Sequence, residues 1–208
     1  MIKKVSLVTL LTLTSLSAEA VNPLLQLSYD WGGTTLATVE HPATYYDAAD
    51  INKIRAGAGL SLEAGAAIGG NQSDVELQLT VGYKFDSDSA ANGEVTWDVI
   101  PFTALAMFKS NKWKLGAGVT YHLNPEISGA FSGYDNGVYF NDTINDTYNS
   151  AFGGVAKIQY RATPSLDIGL KGTMIEYELK NNPSVTAKGN SIGIVLSYAF
   201  GNERSEFR

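Results

Sequence analysis

The sequence predicts an all-β fold, an eight-stranded antiparallel up-and-down transmembrane β-barrel, and three observations carry that prediction. Between Val75 and Phe85 the odd positions Val75, Leu77, Leu79, Val81, Tyr83 and Phe85 are apolar. The intervening Glu76, Gln78, Thr80, Gly82 and Lys84 are polar or small. A strict period of two marks a strand with one apolar face, and about ten residues is what a tilted strand needs to cross a hydrocarbon layer. The pattern recurs along the chain, and the connections between its copies alternate long and short. One rim of surface loops and one of tight turns would give that alternation.

Taken in order, Lys3 and Lys4 precede an apolar run from Val5 to about Leu16, and Ala18-Glu19-Ala20 follows as a small-x-small cleavage site. Residues 1–20 read as a cleaved signal peptide, too short and too interrupted by Ser6, Thr9, Thr12 and Thr14 for a spanning helix. Residues 21–208 then form a single barrel domain. A first strand carries Leu25, Leu27, Tyr29 and Trp31 on one face and continues towards Val39 past a kink or bulge at Gly32-Gly33. His41 to about Asn52 is a loop, and Ile54 to Ala66 a second continuous strand.

After Val75–Phe85 and a loop at Asp86–Gly93, the apolar row Val95, Trp97, Val99 passes to Phe102, Ala104, Ala106, Phe108 on the other parity. Pro101 beside that change suggests a bulge there. A fifth strand follows at Trp113–Leu123 and a sixth at Phe152–Tyr160. The seventh spans Leu166 to about Tyr177 and the eighth Ile192–Phe200. The stretch from Asn124 to about Ser150 is the longest without periodicity, rich in Gly, Asn, Asp and Tyr, and loops of that length tend to carry function. Leu179–Lys188 is a further loop. An even strand count puts both termini at the short-turn rim, and closure removes sheet edges.

The formal charge is −6, or about −7 without Lys3, Lys4 and Glu19, which argues against nucleic acid as a partner. Cysteine is absent, so disulfides and thiolate metal sites are excluded. With the apolar rows towards lipid, the opposite rows place Arg55, Glu63, Glu76, Lys84, Glu94, Asp98, Lys114, His122, Lys157, Arg161, Asp167 and Lys171 inside. An eight-stranded barrel is only wide enough for its own side chains, so these groups should pair and plug the lumen. Tyr29, Trp31, Tyr83, Phe85, Trp97, Trp113, Tyr121, Tyr160, Tyr198 and Phe200 lie near strand ends and suit two aromatic girdles. The alternative is a soluble lipocalin-like barrel with the apolar rows around a ligand. It would leave the Gly-, Ser- and Thr-rich rows as its solvated surface.

The signal peptide, the alternating strands and the closing Tyr198-Ala199-Phe200 resemble the small outer-membrane barrels of the OmpX, OmpA and opacity-protein type. The resemblance spans about Leu25 to Phe200, and the chain departs from it in Gly201 to Arg208. It implies a cell outer membrane location with both termini periplasmic, insertion by the barrel-assembly machinery, and outer-membrane lipid and lipopolysaccharide as surroundings. A monomer is expected.

Barrels of that membrane include lipid-modifying enzymes, but His122-Leu123-Asn124 has Asn where a nucleophilic serine would stand, and His122 faces inward by parity. Asp135, Asn136, Asn141, Asp142, Asn145 and Asp146 do not match a calcium-loop spacing. No catalytic residue, cofactor or metal is therefore assigned. The expected role is structural or surface-interacting, through an extracellular partner at residues 124–150. Tyr134, Tyr139, Phe140 and Tyr148 would be its rigid anchors. A small channel is the remaining alternative.

Overall fold

The computed structural model describes residues 21–41, 50–69, 73–90, 93–135 and 138–200. The signal-peptide reading of residues 1–20 and the tail after Phe200 lie outside the described residues. In chain order the strands are β1 Val21–Gly32, β2 Thr35–His41, β3 Asp50–Arg55, β4 Gly59–Ile68, β5 Val75–Ala90, β6 Gly93–Ser110 and β7 Trp113–Asp135. They continue as β8 Val138–Thr147, β9 Ala151–Arg161, β10 Leu166–Met174, β11 Glu176–Leu179, β12 Asn182–Lys188 and β13 Ser191–Ala199.

Eight of these close a barrel. Antiparallel ladders join β1 to β4, β4 to β5, β5 to β6, β6 to β7, β7 to β9, β9 to β10 and β10 to β13. The β13–β1 ladder, from Leu24↔Ala199 to Gly32↔Ser191, completes the ring. Every barrel strand therefore has two neighbours, as a sheet in hydrocarbon requires. Short connections follow β4, β6 and β9. The tightest is Asn111-Lys112, where Asn111 takes φ 51°, a left-handed conformation that asparagine tolerates.

At the opposite rim the strands continue beyond the barrel. β5 and β6 stay paired up to Ala90↔Gly93, and β7 runs on to pair with β8 from Glu126↔Thr147 to Asp135↔Val138. β2–β3 and β11–β12 form two further hairpins, and Ile175 divides the expected seventh strand into β10 and β11. The stretches 86–90, 124–150 and 179–188, and part of 41–52, are thus largely strand where the sequence reads as loop. Outside hydrocarbon an outward residue need not be apolar, so backbone pairing persists where the hydrophobic alternation has gone.

Crossing that rim inverts the polarity of the two faces. Along the barrel the outward side chains are apolar and exposed, among them Leu27, Leu62, Val81, Val119, Leu170 and Ile194. Beyond the rim it is the inward side chains that are apolar: Val39, Ile54, Val95, Trp97, Ile127, Tyr148, Ile175, Tyr177 and Ala187 are buried in one cluster.

The strands make this switch in two ways. β6 keeps its odd residues inside throughout, Val95, Trp97 and Val99 above the rim and Leu105 and Met107 below it, so only the sequence changes parity. The bulge expected at Ile100-Pro101 is absent from β6. The register slip between Asp98 and Ile100 comes instead from an extra residue on β7 near Asn124, which has φ 47°. There the backbone turns over, carrying the odd residues from outward Val119 to inward Ile127.

The same reversal separates β3 from β4, so Ile54–Ala66 is not one strand. Ile54 and Ala56 face the upper core, Leu60 and Leu62 face outward, and Gly59 at φ 117° lies between. Gly33, at φ 89°, serves the β1–β2 junction. A Cβ there would fall on the Gly57 backbone.

Candidate functional site

Three regions carry the chemistry: the lumen, the outer belt and the layer above the rim. The lumen is filled by a chain of polar side chains. Near the long-loop rim, Asp30 Oδ2 accepts from Lys84 Nζ at 2.9 Å and lies 3.2 Å from Lys171 Nζ. Lys171 also approaches Glu63 Oε1 at 3.5 Å and donates to Ser28 Oγ at 2.8 Å, while Thr80 Oγ1 donates to Glu63 Oε2 at 2.6 Å.

In the middle, Lys157 Nζ donates to Gln26 Oε1 at 2.9 Å and Gln78 Oε1 at 3.1 Å. Towards the short-turn rim, Lys114 Nζ bridges Glu76 Oε1 at 3.0 Å and Asp167 Oδ2 at 2.7 Å, with Arg161 Nε 3.8 Å from Asp167 Oδ1. Each charge taken from water needs such a partner. Among the described residues, the recess lined by Asp30, Glu63, Lys84, Thr120, His122 and Lys171 has a volume of about 20 Å³. That is room for about one water molecule.

Glu63, Glu76, Lys84, Lys114, His122, Lys157, Arg161, Asp167 and Lys171 therefore line the lumen, all buried except half-buried Arg161. Three residues that the sequence assigns to the lumen lie elsewhere. Arg55 belongs to β3 above the rim, where its N–H donates to Asp86 Oδ2 at 3.2 Å. Glu94 and Asp98 are even residues of β6 and point outward above the rim. The sequence places their row inward because Val95, Trp97 and Val99 read as lipid-facing. Asp30, Gln26, Gln78 and Gln159 also belong to the lumen, on rows that the sequence turns inward without naming them as pairing partners. For Asp30 and Gln26 the signal is present, since both lie on the row opposite Leu25, Leu27, Tyr29 and Trp31.

The outer belt is bounded by aromatic pairs at both ends. Tyr29–Trp31 (ring centroids 4.9 Å apart), Tyr83–Phe85 (5.9 Å) and Tyr121–Phe152 (4.5 Å) lie towards the long-loop rim. Trp113–Tyr160 (5.2 Å) and Tyr198–Phe200 (4.8 Å) lie at the short-turn rim. Trp97 is not part of either girdle. It is fully buried in the layer above the rim, between Tyr148 and Tyr177, each 5.5 Å from it.

That layer has a core of its own, and Tyr148, expected as an exposed anchor, is 8% exposed within it. The backbones of Tyr134 and Tyr139 pair with each other, and Phe140 pairs with Gly133. Their side chains lie outside the described residues. A hydrogen bond joins layer to lumen, His122 Nδ1 to Tyr177 Oη at 2.6 Å. Burial, and Asp30 beyond it, push the Tyr177 phenol up, so it stays protonated and can donate to that nitrogen. His122 thus engages a phenol and faces neither lipid nor bulk water. On the outer face of the layer, burial first and Glu126 second push the Asp98 carboxyl up. Burial also raises Asp86, against the lowering effect of the Arg55 N–H and of Lys84.

A closed barrel with an apolar, aromatic-bounded belt and an ion-paired lumen defines the class: a small membrane-spanning β-barrel. No protein-family model matches the chain, and no curated protein matches it in sequence. Among solved structures it is similar to Neisserial surface protein A, at 10% identity over 86% of this chain and 97% of that one, with a TM-score of 0.47. It is also similar to Ail, the attachment invasion locus protein of Yersinia pestis, solved with the heparin analogue sucrose octasulfate (8% identity, 86% and 96% covered, TM-score 0.45). The outer membrane channel DcaP of Acinetobacter baumannii matches at 8% identity over 87% and 96%, with a TM-score of 0.25.

Proposed function

We propose that the chain is a non-conducting outer-membrane barrel whose role is surface interaction, with envelope support as its passive counterpart. The observation that carries this reading is the contrast between the two ends. Buried ion pairs such as Lys114 with Glu76 and Lys84 with Asp30 occupy the lumen. Above the rim, four hairpins among the described residues are raised on a hydrophobic core of their own that the barrel does not need for closure. In this reading the termini are periplasmic, the barrel-assembly machinery inserts the chain, and the belt meets outer-membrane lipid and lipopolysaccharide as a monomer. The layer above the rim meets the partner. His122, the histidine that an enzyme reading would call on, is buried and engaged with Tyr177, which favours a non-enzymatic role.

Cells displaying the chain, compared with cells lacking it, should adhere better to immobilised protein surfaces or host-cell monolayers. The purified barrel in a planar bilayer should give no conductance steps. Steps at ordinary ionic strength, with no gain in adhesion, would favour the channel reading instead.

A further inference from the structure

The charges outside the lumen divide unevenly between the two rims. Among the described residues beyond the long-loop rim, exposed and half-buried acids such as Asp98, Glu126 and Asp146 outnumber the basic side chains. At the short-turn rim the balance is reversed, and Lys109, Lys112 and Arg161 stand against exposed Asp74.

Lys112 lies on the lipid side of that rim. Its Nζ is 6.0 Å from the centre of the Tyr160 ring, and Tyr160 meets Trp113 edge-on in the girdle. The other two cations border the same turn from the lumen side. Lys109 pairs across it with luminal Lys114, and the Arg161 N–H donates to Lys112 O at 2.7 Å. An ammonium at the aromatic level of a membrane protein reaches the layer where lipid phosphates lie.

The belt is hollowed in the same column of strands. On β7 and β9 the outward pairs run from Trp113↔Tyr160 through Ala117↔Ala156 to Val119↔Gly154. At Val119 a hollow of about 400 Å³ opens on the outer face, lined by Ala64, Gly65 and Ala104 and by the aromatic rings of Phe102, Tyr121 and Phe152. From Trp113 to Val119 is about 20 Å along the strand, at about 3.3 Å per residue. A tilt of about 40° makes that about 15 Å of depth, slightly more than half of an apolar band about 25 Å tall. An acyl chain anchored at Lys112 therefore ends in the hollow.

We propose that this column holds one anionic phospholipid from the leaflet at the short-turn rim. Its phosphate sits on Lys112, its glycerol region lies beside Trp113 and Tyr160, and one acyl chain runs past Ala117 into the hollow. The charge reversal selects that leaflet, because an anionic headgroup at the other rim would face the acidic layer. The inference needs the membrane-spanning barrel and is independent of the surface-interaction reading.

Trp97 is fully buried above the long-loop rim and Trp31 belongs to the girdle there, so in a Trp31→Phe chain Trp113 reports on belt lipid at the short-turn rim. The full chain, folded in phosphatidylcholine vesicles, is titrated with phosphatidylglycerol carrying bromines on its acyl chains, which quench tryptophan on contact. Phosphatidylcholine brominated in the same way is the reference. The anionic lipid should be preferred about fivefold, as expected of one lysine at a membrane surface. The preference should vanish with Lys112→Gln, and in about 1 M salt. A second chain, Trp31→Phe with Trp113→Phe and Val119→Trp, places the reporter in the hollow and should show the same preference, lost again with Lys112→Gln. Unboiled gel mobility should stay that of the folded barrel in each variant.

Equal quenching by the two lipids, a preference that survives Lys112→Gln, or a preference at Trp113 that is absent from the Val119→Trp chain would each overturn the proposal. So would displacement of the brominated phosphatidylglycerol by lipid A in preference to unlabelled phosphatidylglycerol, which would give the site to a lipid of the opposite leaflet.

Discussion

Replacing Lys114 with methionine removes the cation that two buried carboxylates share. Glu76 and Asp167 are 2% and 4% exposed, and both meet Lys114 within 3.0 Å. Glu76 keeps a neutral donor, Gln78 Nε2 at 2.8 Å from its Oε1, and Asp167 keeps Arg161 Nε at 3.8 Å, beyond hydrogen-bond distance. Breaking a buried pair by removing one partner costs about 3–5 kcal/mol. At a urea slope of about 2 kcal/mol/M, the unfolding midpoint should fall by roughly 2 M. The assay is urea titration of the chain folded in lipid vesicles, with the folded fraction read from unboiled gel mobility. Lys114→Met combined with Glu76→Gln and Asp167→Asn should recover most of the loss, since the charges then leave together. A single variant within about 1 kcal/mol of the parent, or a triple variant worse than the single, would refute the ion-paired lumen.

Trp97→Ala should cost about 3–5 kcal/mol, but only above the rim. Proteinase added outside vesicles should then cut residues 93–98 or 126–148 while a folded, heat-modifiable barrel fragment survives. Leu27→Arg places a cation on the outer belt and should destabilise the barrel by about 2–4 kcal/mol in the same urea titration. Ser184→Arg, on exposed β12, should change it by less than about 0.5 kcal/mol. The raised Asp86 and Asp98 carboxyls set a pH dependence in the upper layer. For a group raised on folding, the stabilisation is full below the ordinary carboxyl range and is lost as pH rises through the folded value. Resistance of that layer to an acid-tolerant protease should therefore be higher near pH 4 than at pH 7. Asp86→Asn with Asp98→Asn should flatten the difference.

The spanning strands are legible in the sequence because hydrocarbon demands an apolar residue at nearly every outward position, so the period of two survives unbroken from Val75 to Phe85. The lumen is legible for the same reason: once Leu79 and Val81 face out, Glu76, Gln78 and Lys84 must face in. Above the rim that constraint lapses. Water wets the outer face and an apolar cluster fills the inner one, so Trp97, on an apolar row, is indistinguishable in sequence from a lipid-facing residue. The switch itself is hidden because β6 makes it by changing parity while β3–β4 makes it by turning the backbone over at Gly59. Asn124, with its left-handed φ, is the β7 counterpart. Tyr148 reads as a loop aromatic because its neighbours Asn145, Asp146 and Asn149 are polar, while its own burial depends on Trp97 and Tyr177, far away in sequence.

The most direct measurement is a spin-label scan along β6, made practical because the chain has no cysteine of its own. Single cysteines at 94 to 108, labelled in a lipid bilayer, would be probed with oxygen, which partitions into hydrocarbon, and with a water-soluble nickel chelate. Oxygen access is expected at 102, 104, 106 and 108, nickel access at 94, 96 and 98, and access by neither at 95, 97, 99, 105 and 107. Oxygen access at 95, 97 and 99 would contradict the inverted upper layer. Nickel access at 102 to 108 would contradict the membrane barrel itself.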